Sequence, residues 1–351
     1  MSGRSYRHAV FPGRFQPYHR GHHGALAFAL EIADNVIVVI GSAQRPRTPR
    51  DPWSAPEREA MIRACLAPEA QPRVRFLHQR DYLYNDSLWL TDVQRQAMAA
   101  IAALGGGGPV ALVGLPRDQA AHYLRLFPQW KFEPAPRTEI LDAGALRAGF
   151  LGGREPLAED APAWAEALPE GVRGFLREWQ ATPEYQAQAA EWSYLAEYRR
   201  RWAAAPFPVI FTTVDALVVK SGHVLLVRRG LNPGKGLLAL PGGFLDAAGD
   251  HSLREGALRE LREETRIKVP AEVLARNIVA ERAFDHPERS QRGRTITHAV
   301  CIDLGPGPLP EVRGGDDASE ALWVPLAEVQ LHPEALFDDH YDIITNLTSR
   351  F

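Results

Sequence analysis

Along the first 130 residues, short unbroken apolar runs alternate with stretches whose apolar positions recur every three or four residues. The runs at 8–11 (HAVF), 36–40 (VIVVI), 74–77 (VRFL) and 110–114 (VALVG) predict buried strands. The stretches at about 24–33, 56–66, 88–103 and 118–127 predict helices between them. Such alternation implies a parallel sheet with helices on both faces, an α/β doubly wound, Rossmann-like domain. Ser54-Ala55-Pro56-Glu57 reads as a capping box that starts the second helix, with proline tolerated in its first turn.

From about 155 to 205 the pattern turns helical and rich in Ala, Glu, Arg and Trp, as expected of helices that close the first domain and lead out of it. Pro206 and Pro208 make a stiff joint. Strand-like runs then dominate: VIFTTVDALVV, HVLLVRR, ITHAVCIDL and ALWVPL, with one clear helix at 253–265 and another expected near the C-terminus. The expected organisation is an α/β domain over 1–205 and an α+β domain over 206–351. No internal repeat is evident, and GGGG at 105–108 reads as a turn.

Composition narrows the function classes. With 40 basic and 43 acidic residues the formal net charge is -3, which favours neither nucleic acid nor an anionic membrane surface. The two cysteines, Cys65 and Cys301, lie far apart and outside any CxxC, so neither a disulfide framework nor a thiolate zinc site is expected. The start lacks a signal-peptide core, and the apolar stretch ALAFALEIADNVIVVIG is broken by Glu31, Asp34 and Asn35. A cytoplasmic protein is the expectation.

Two constellations carry chemistry. The first is Gly13-Arg14-Phe15-Gln16-Pro17-Tyr18-His19-Arg20-Gly21-His22, which follows the first strand and opens the first helix. In an α/β sheet this is the carboxyl end of a strand, where ligands bind. The new helix offers free N–H groups and a positive dipole end suited to phosphate. His19 and His22 are three residues apart and can point to one side, while Gly21 leaves room for a nucleotide. A cap, or a metal site made with His23, are the competing readings, and zinc would need a further ligand that no Cys or HExxH-like spacing supplies.

The second constellation is Leu240-Pro241-Gly242-Gly243-Phe244-Leu245 ahead of Arg259-Glu260-Leu261-Arg262-Glu263-Glu264-Thr265. Glu260, Glu263 and Glu264 fall at i, i+3 and i+4 of a helix, so three carboxylates share one face. Oxygen ligands of this kind suit Mg²⁺ or Mn²⁺. A solvated acidic face is the competing reading for the helix alone, but not with PGGFL at helix-loop distance before it.

The first segment resembles the HxGH nucleotidylyltransferases, and within them the nicotinamide-nucleotide adenylyltransferases of the archaeal-like kind. Agreement extends to Gly41-Ser42-Ala43-Gln44, Arg50-Asp51-Pro52-Trp53-Ser54, Glu57-Arg58, DYLYNDSLW at 81–89 and GLPRDQAAHYLRLFPQW at 114–130, roughly residues 6–200. The family's closing ISSTxxR stands here as Leu141-Asp142-Ala143-Gly144-Ala145-Leu146-Arg147, so its hydroxyl residues are replaced while Arg147 and the helix start remain. The resemblance implies attack of a mononucleotide phosphate on the α-phosphate of ATP. His19, His22 and Arg147 would be catalytic, with Gly13, Arg14, Arg50, Gly144 and Arg147 on the ATP phosphates. Mg²⁺ would bridge the triphosphate. Asn85 and Trp89 would meet the nicotinamide nucleotide, a core tryptophan being the competing reading of Trp89.

The second segment resembles the Nudix box, Gx5Ex7REUxEExGU, with similarity running from Pro208 onward through Gly234-Lys235-Gly236, RTITH at 294–298 and FDDHYDII at 337–344. It implies a divalent ion on Glu260, Glu263 and Glu264, Glu263 as catalytic, and Gly242, Gly243 and Arg259 as structural or substrate groups. Two departures stand out. Arg266 replaces the usual glycine, and the loop is two residues longer, so the first box glutamate falls on His251 beside Asp250. A return of Asp250 or Asp246 toward the metal is the expected compensation. The pairing of the two domains resembles bifunctional enzymes whose second activity is ADP-ribose pyrophosphatase. The expected partners are small nucleotides (ATP, NMN, ADP-ribose), with no nucleic acid or membrane; a homo-oligomer stays open. The alternatives are nicotinate mononucleotide as substrate, a cytidylyl- or pantetheine-type relative, and a Nudix-like domain that senses a nucleotide without cleaving it.

Overall fold

The computed structural model describes residues 4–114, 126–136, 141–153, 163–316 and 318–349. They fall into two compact units, one up to Ala190 and one from Glu191 onward. The expected boundary at 205 differs because one helix, α6 (Pro183–Trp202), runs through the division and its second half packs with the later unit. Among the described residues no helix is long and apolar enough to cross a membrane.

The first unit contains β1 (Tyr6–Gly13), α1 (Arg20–Ile32), β2 (Ala33–Ala43), α2 (Ala55–Arg63), β3 (Val74–Arg80), α3 (Asp86–Ala103), β4 (Val110–Gly114), β5 (Lys131–Pro134), α4 (Ala143–Gly152) and α5 (Glu170–Trp179) before α6. The strands form one parallel sheet ordered β3-β2-β1-β4-β5. Order reverses at β1, so the carboxyl ends of β1, β2 and β4 flank a switch point where ligands bind in such sheets. Val10, Ile37, Val39, Leu112, Val93 and Phe127 form a core between the sheet and α3. The expected capping box is present: Ser54 Oγ accepts the Glu57 N–H at 3.4 Å, and Glu57 Oε2 accepts the Ser54 N–H at 2.7 Å. The helix expected at 118–127 lies almost wholly outside the described residues. Strand β5, with exposed Lys131 and Phe132, has no apolar run to announce it.

The second unit contains β6 (Ile210–Lys220), β7 (His223–Arg229), β8 (Leu238–Ala239), β9 (Gly242–Phe244), α7 (Leu253–Thr265), α8 (Ala271–Arg276), β10 (Ile278–Phe284), β11 (Arg294–Asp303), β12 (Ala318–Pro325), α9 (Leu326–Leu331) and α10 (His340–Thr348). Its mixed sheet is ordered β10-β11-β6-β7-β12, with β8 on β7 and β9 on β6. Helix α7 packs Ala257 and Leu261 into a core with Val214, Ala216, Val218 and Val300. That burial fixes which face of α7 carries its charges. Ser252 caps the start, accepting the Glu255 N–H at 3.1 Å. The helix stops at Arg266 in the left-handed conformation (φ 45). This explains the glycine usual there, since a side chain costs roughly 1 kcal/mol in that region.

Beneath α10's start, Arg289 and Asp339 form a bidentate pair at 3.0 and 2.9 Å, both almost wholly buried. Removing one partner leaves the other charged and dry. Asp339→Ala is therefore expected to destabilise the second unit by about 3–5 kcal/mol, measured by urea unfolding; an unchanged midpoint would show that the pair contributes no net stability.

Candidate active sites

The first site grows from the exit of β1. Its loop is held by Arg58, a fully buried arginine on α2. Arg58 Nη1 donates to the carbonyls of Arg14 and Gly41, both at 2.6 Å, while Nη2 donates to that of Ser42 at 3.1 Å. One guanidinium thus ties the ends of β1 and β2 together. Burial lowers its pKa to about 10, so it stays charged. Sequence reading placed Arg58 only within a matching segment; an arginine in an amphipathic helix gives no signal that it will be buried.

His19 is the N-cap of α1. Its Nδ1 accepts the His22 N–H at 3.3 Å, and His22 Nδ1 accepts the His19 N–H at 3.4 Å. The two rings stack with centroids 3.7 Å apart and planes 19° from parallel. Gly21 permits this, since a Cβ there would lie 3.2 Å from the His19 ring. The cap reading thus holds for both rings, each through its Nδ1. Burial lowers the pKa of His19 to about 4; burial and the neighbouring His19 ring hold His22 well below its ordinary range. Both imidazoles are neutral, and with Nδ1 accepting, each proton sits on Nε2.

Arg147 lies within electrostatic reach of the other two predicted arginines. Loss of water lowers the pKa of Arg147, Asp51 opposes this, and Arg14 and Arg50 reinforce it by like charge. Arg147 also donates to the Gln16 carbonyl, which fixes its reach. Gly13 ends β1 against the Phe15 ring. The Gly144 N–H at the start of α4 donates to Asp142 Oδ1 at 2.7 Å. In place of the expected free helix start, the carboxylate that replaces a hydroxyl residue caps it. Ser42, near the end of β2, donates its hydroxyl to Asp81 at 2.7 Å. Asn85 caps α3, accepting the Leu88 N–H at 3.0 Å, and Trp89 is half-buried against Phe127.

The second site is built where β9 and α7 meet. A Cβ on Gly242 would lie 2.3 Å from the Val214 carbonyl, and one on Gly243 would lie 2.6 Å from Glu260 Oε1. Two glycines therefore let the loop press onto β6 and the helix carboxylates. Glu264 Oε2 accepts the Gly242 N–H at 3.0 Å. Glu260 and Glu264 are buried on the wall of a cavity of about 270 Å³, shared with Arg229, Arg292 and Asp316. Burial raises the pKa of both carboxyls, that of Glu264 to about 8.

Glu263 differs from its expected placement. Its carboxylate lies on Arg259 Nη1 at 2.9 Å and is half exposed. Among the described residues no three His, Cys, Asp or Glu side chains converge to hold a metal ion. The physical reason is electrostatic: Arg259 Nη1 also donates to Glu260 Oε1 at 2.9 Å, so this guanidinium offsets the repulsion between the two carboxylates. The buried pair still fits a hard cation, because two carboxyl groups forced toward protonation by their surroundings are hard oxygen donors in want of positive charge.

The altered loop resolves otherwise than expected. Both Asp250 oxygens accept from Arg259, at 2.8 and 2.9 Å, and Oδ2 also accepts the Asp246 N–H at 2.8 Å. Arg259 holds the Asp250 carboxyl down at about 2. Asp250 thus anchors Arg259 and does not turn to the carboxylate face, while Asp246 Oδ1 accepts the Ala248 N–H at 2.9 Å. The exposed His251 leads the chain into α7, its N–H on Glu255.

Comparison with known proteins finds relatives of both parts of the chain. A cytidylyltransferase-like family matches residues 10–89 and the NUDIX domain family matches residues 210–347. The chain is 34% identical over 178 residues to a nicotinamide/nicotinic acid mononucleotide adenylyltransferase of Acinetobacter baylyi, covering 50% of this chain and 88% of that one. It is 34% identical over 131 residues to an ADP-ribose pyrophosphatase of Methanocaldococcus jannaschii, covering 37% and 69%. A crystal structure of a bifunctional NMN adenylyltransferase/ADP ribose pyrophosphatase from Francisella tularensis, complexed with AMP and a Mn ion, superposes with a TM-score of 0.89 at 34% identity, over 98% of this chain and 99% of that one. Matched in this way over 98% of its length, the chain belongs to the family of bifunctional NMN adenylyltransferases/ADP-ribose pyrophosphatases.

Proposed function

We propose that the first unit transfers AMP from ATP to nicotinamide mononucleotide, giving NAD and pyrophosphate, through the paired imidazoles of His19 and His22. The reciprocal cap carries this reading: it fixes two neutral Nε2–H donors side by side at a phosphate-binding helix start. A phosphate oxygen of the mononucleotide attacks the α-phosphorus of ATP, and the bond to the bridging oxygen breaks as pyrophosphate leaves. Charge grows on the equatorial oxygens, and donors already in place stabilise it without rearranging. Arg14, Arg50 and Arg147 grip the phosphates, and a Mg²⁺ carried by the triphosphate would offset part of its charge. Asn85, which caps α3, and Trp89 in its first turn would meet the nicotinamide nucleotide.

The second unit hydrolyses ADP-ribose to AMP and ribose 5-phosphate. Glu260 and Glu264, joined by Glu263 from the same helix face, would hold Mg²⁺ or Mn²⁺. Such an ion neutralises the pyrophosphate and makes water a better nucleophile. Water adds to one phosphorus, and the bond to the bridging oxygen breaks. Arg259, anchored by Asp250, keeps Glu263 and Glu260 in register, and Arg229 and Arg292 carry positive charge to the cavity wall. We infer a cytoplasmic enzyme that acts on small nucleotides and not on nucleic acid.

Three outcomes test this. His22→Ala is expected to lower NAD synthesis at least ~100-fold, as loss of a transition-state donor does, with ADP-ribose hydrolysis unchanged; near-normal synthesis in the folded variant removes His22 from the mechanism. Arg147→Lys should weaken ATP turnover about tenfold or more, because lysine cannot hold the Gln16 carbonyl and a phosphate with one planar fork; unaltered ATP kinetics would make Arg147 structural. Glu263→Gln should lower hydrolysis at least ~100-fold across a Mg²⁺ and Mn²⁺ titration while NAD synthesis persists. A wild-type protein that binds ADP-ribose but cleaves it at no metal concentration would be a sensor at this site, not a hydrolase.

A further inference from the structure

From Glu191 onward α6 belongs to the second unit. Along this half Glu191, Tyr194 and Tyr198 recur at helical spacing on one side. The buried Glu191 accepts the Gly234 N–H on Oε2 at 2.9 Å, which pins the turn that follows Arg229. Gly234 needs that turn, with φ 73 and the Phe337 ring where a Cβ would stand. Tyr194 and Tyr198 line the same cavity as Glu260 and Glu264. The Tyr198 ring lies 5.8 Å from Phe211, which lies 5.8 Å from Phe244, another wall residue. Tyr194 leaves 39% of its surface exposed.

The charged groups of this wall suit a pyrophosphate and its cation, which leaves the rings without a role in the chemistry just described. A neighbouring hollow of about 390 Å³ around Trp202 and Phe207 is also aromatic, but no carboxylate is among the described residues that line it. It cannot hold both ends of a metal-dependent nucleotide substrate. The tyrosine wall and the carboxylates share one cavity, and every nucleobase has a π-face for such rings.

We propose that Tyr194 and Tyr198 of α6 are the base-binding wall of the hydrolase site, stacking on the adenine of a nucleoside diphosphate sugar whose pyrophosphate lies at Glu260, Glu264, Arg229 and Arg292. The inference rests on the hydrolase reading above and adds where base specificity is set. It makes α6 a working part of the second site and not only a connection, so base selection lies outside the box motif. Glu191 acts as a positioning residue, holding the turn against the helix that carries the rings.

The test uses the full chain and steady-state ADP-ribose hydrolysis, with each product as inhibitor. Tyr194→Ala and Tyr198→Leu should each raise KM about tenfold, the size expected for loss of a base stack, with kcat within about twofold. Inhibition by AMP, which carries the base, should weaken by the same factor, whereas inhibition by ribose 5-phosphate should not move. Tyr194→Phe and Tyr198→Phe, which keep the rings, should restore KM. Unchanged KM and AMP inhibition in both truncations, with wild type active, overturns this inference alone. Equal weakening toward AMP and ribose 5-phosphate, or failure of the phenylalanine variants to restore KM, assigns the tyrosines a purely structural part and also overturns it. A wild-type protein inactive on ADP-ribose overturns it together with the hydrolase reading.

Discussion

The adenylyltransferase half depends on one buried guanidinium. Arg58 spends its donors on the carbonyls that end β1 and β2, where a parallel sheet leaves backbone acceptors unpaired. Without it, two loops that must lie close together would present bare carbonyls to each other. With it, the path of residues 13–19 is set before any nucleotide arrives. The position of His19, and through it the start of α1, follows from that constraint.

The hydrolase half solves a related problem with charge of the opposite sign. Its carboxylates must stay near one another while their mutual repulsion drives them apart. Arg259 absorbs part of that repulsion, and Asp250 keeps Arg259 from swinging away. The longer loop before α7 carries an aspartate that holds this arginine with both oxygens.

Local signals made much of this legible. The alternation of apolar runs and helical stretches yields the parallel sheet, Ser54 and Glu57 mark a helix start, and the paired histidines and glutamates stand at telling spacings. What stayed hidden depends on distant partners. Strand β10 alternates half-buried and exposed positions, and its Glu281 and Arg282 mask it as surface. The loop before α7 could be counted but not traced, so Asp250 was weighed as a ligand when it is an anchor. Helical spacing puts Glu191, Tyr194 and Tyr198 on one side of α6, but it cannot say which unit that side will meet.

The reciprocal cap of His19 and His22 binds two kinds of selection into one. Each ring gives Nδ1 to the backbone at the start of α1 and, in the proposed transfer, Nε2 to chemistry, so most replacements would fray the helix and disable the site together. At the N-cap, asparagine, aspartate and serine are the exceptions, since a side-chain oxygen can take the place of Nδ1 there. Drift at position 19, in any descendant that has given up the transferase reaction but kept the fold, should therefore pass through those residues first.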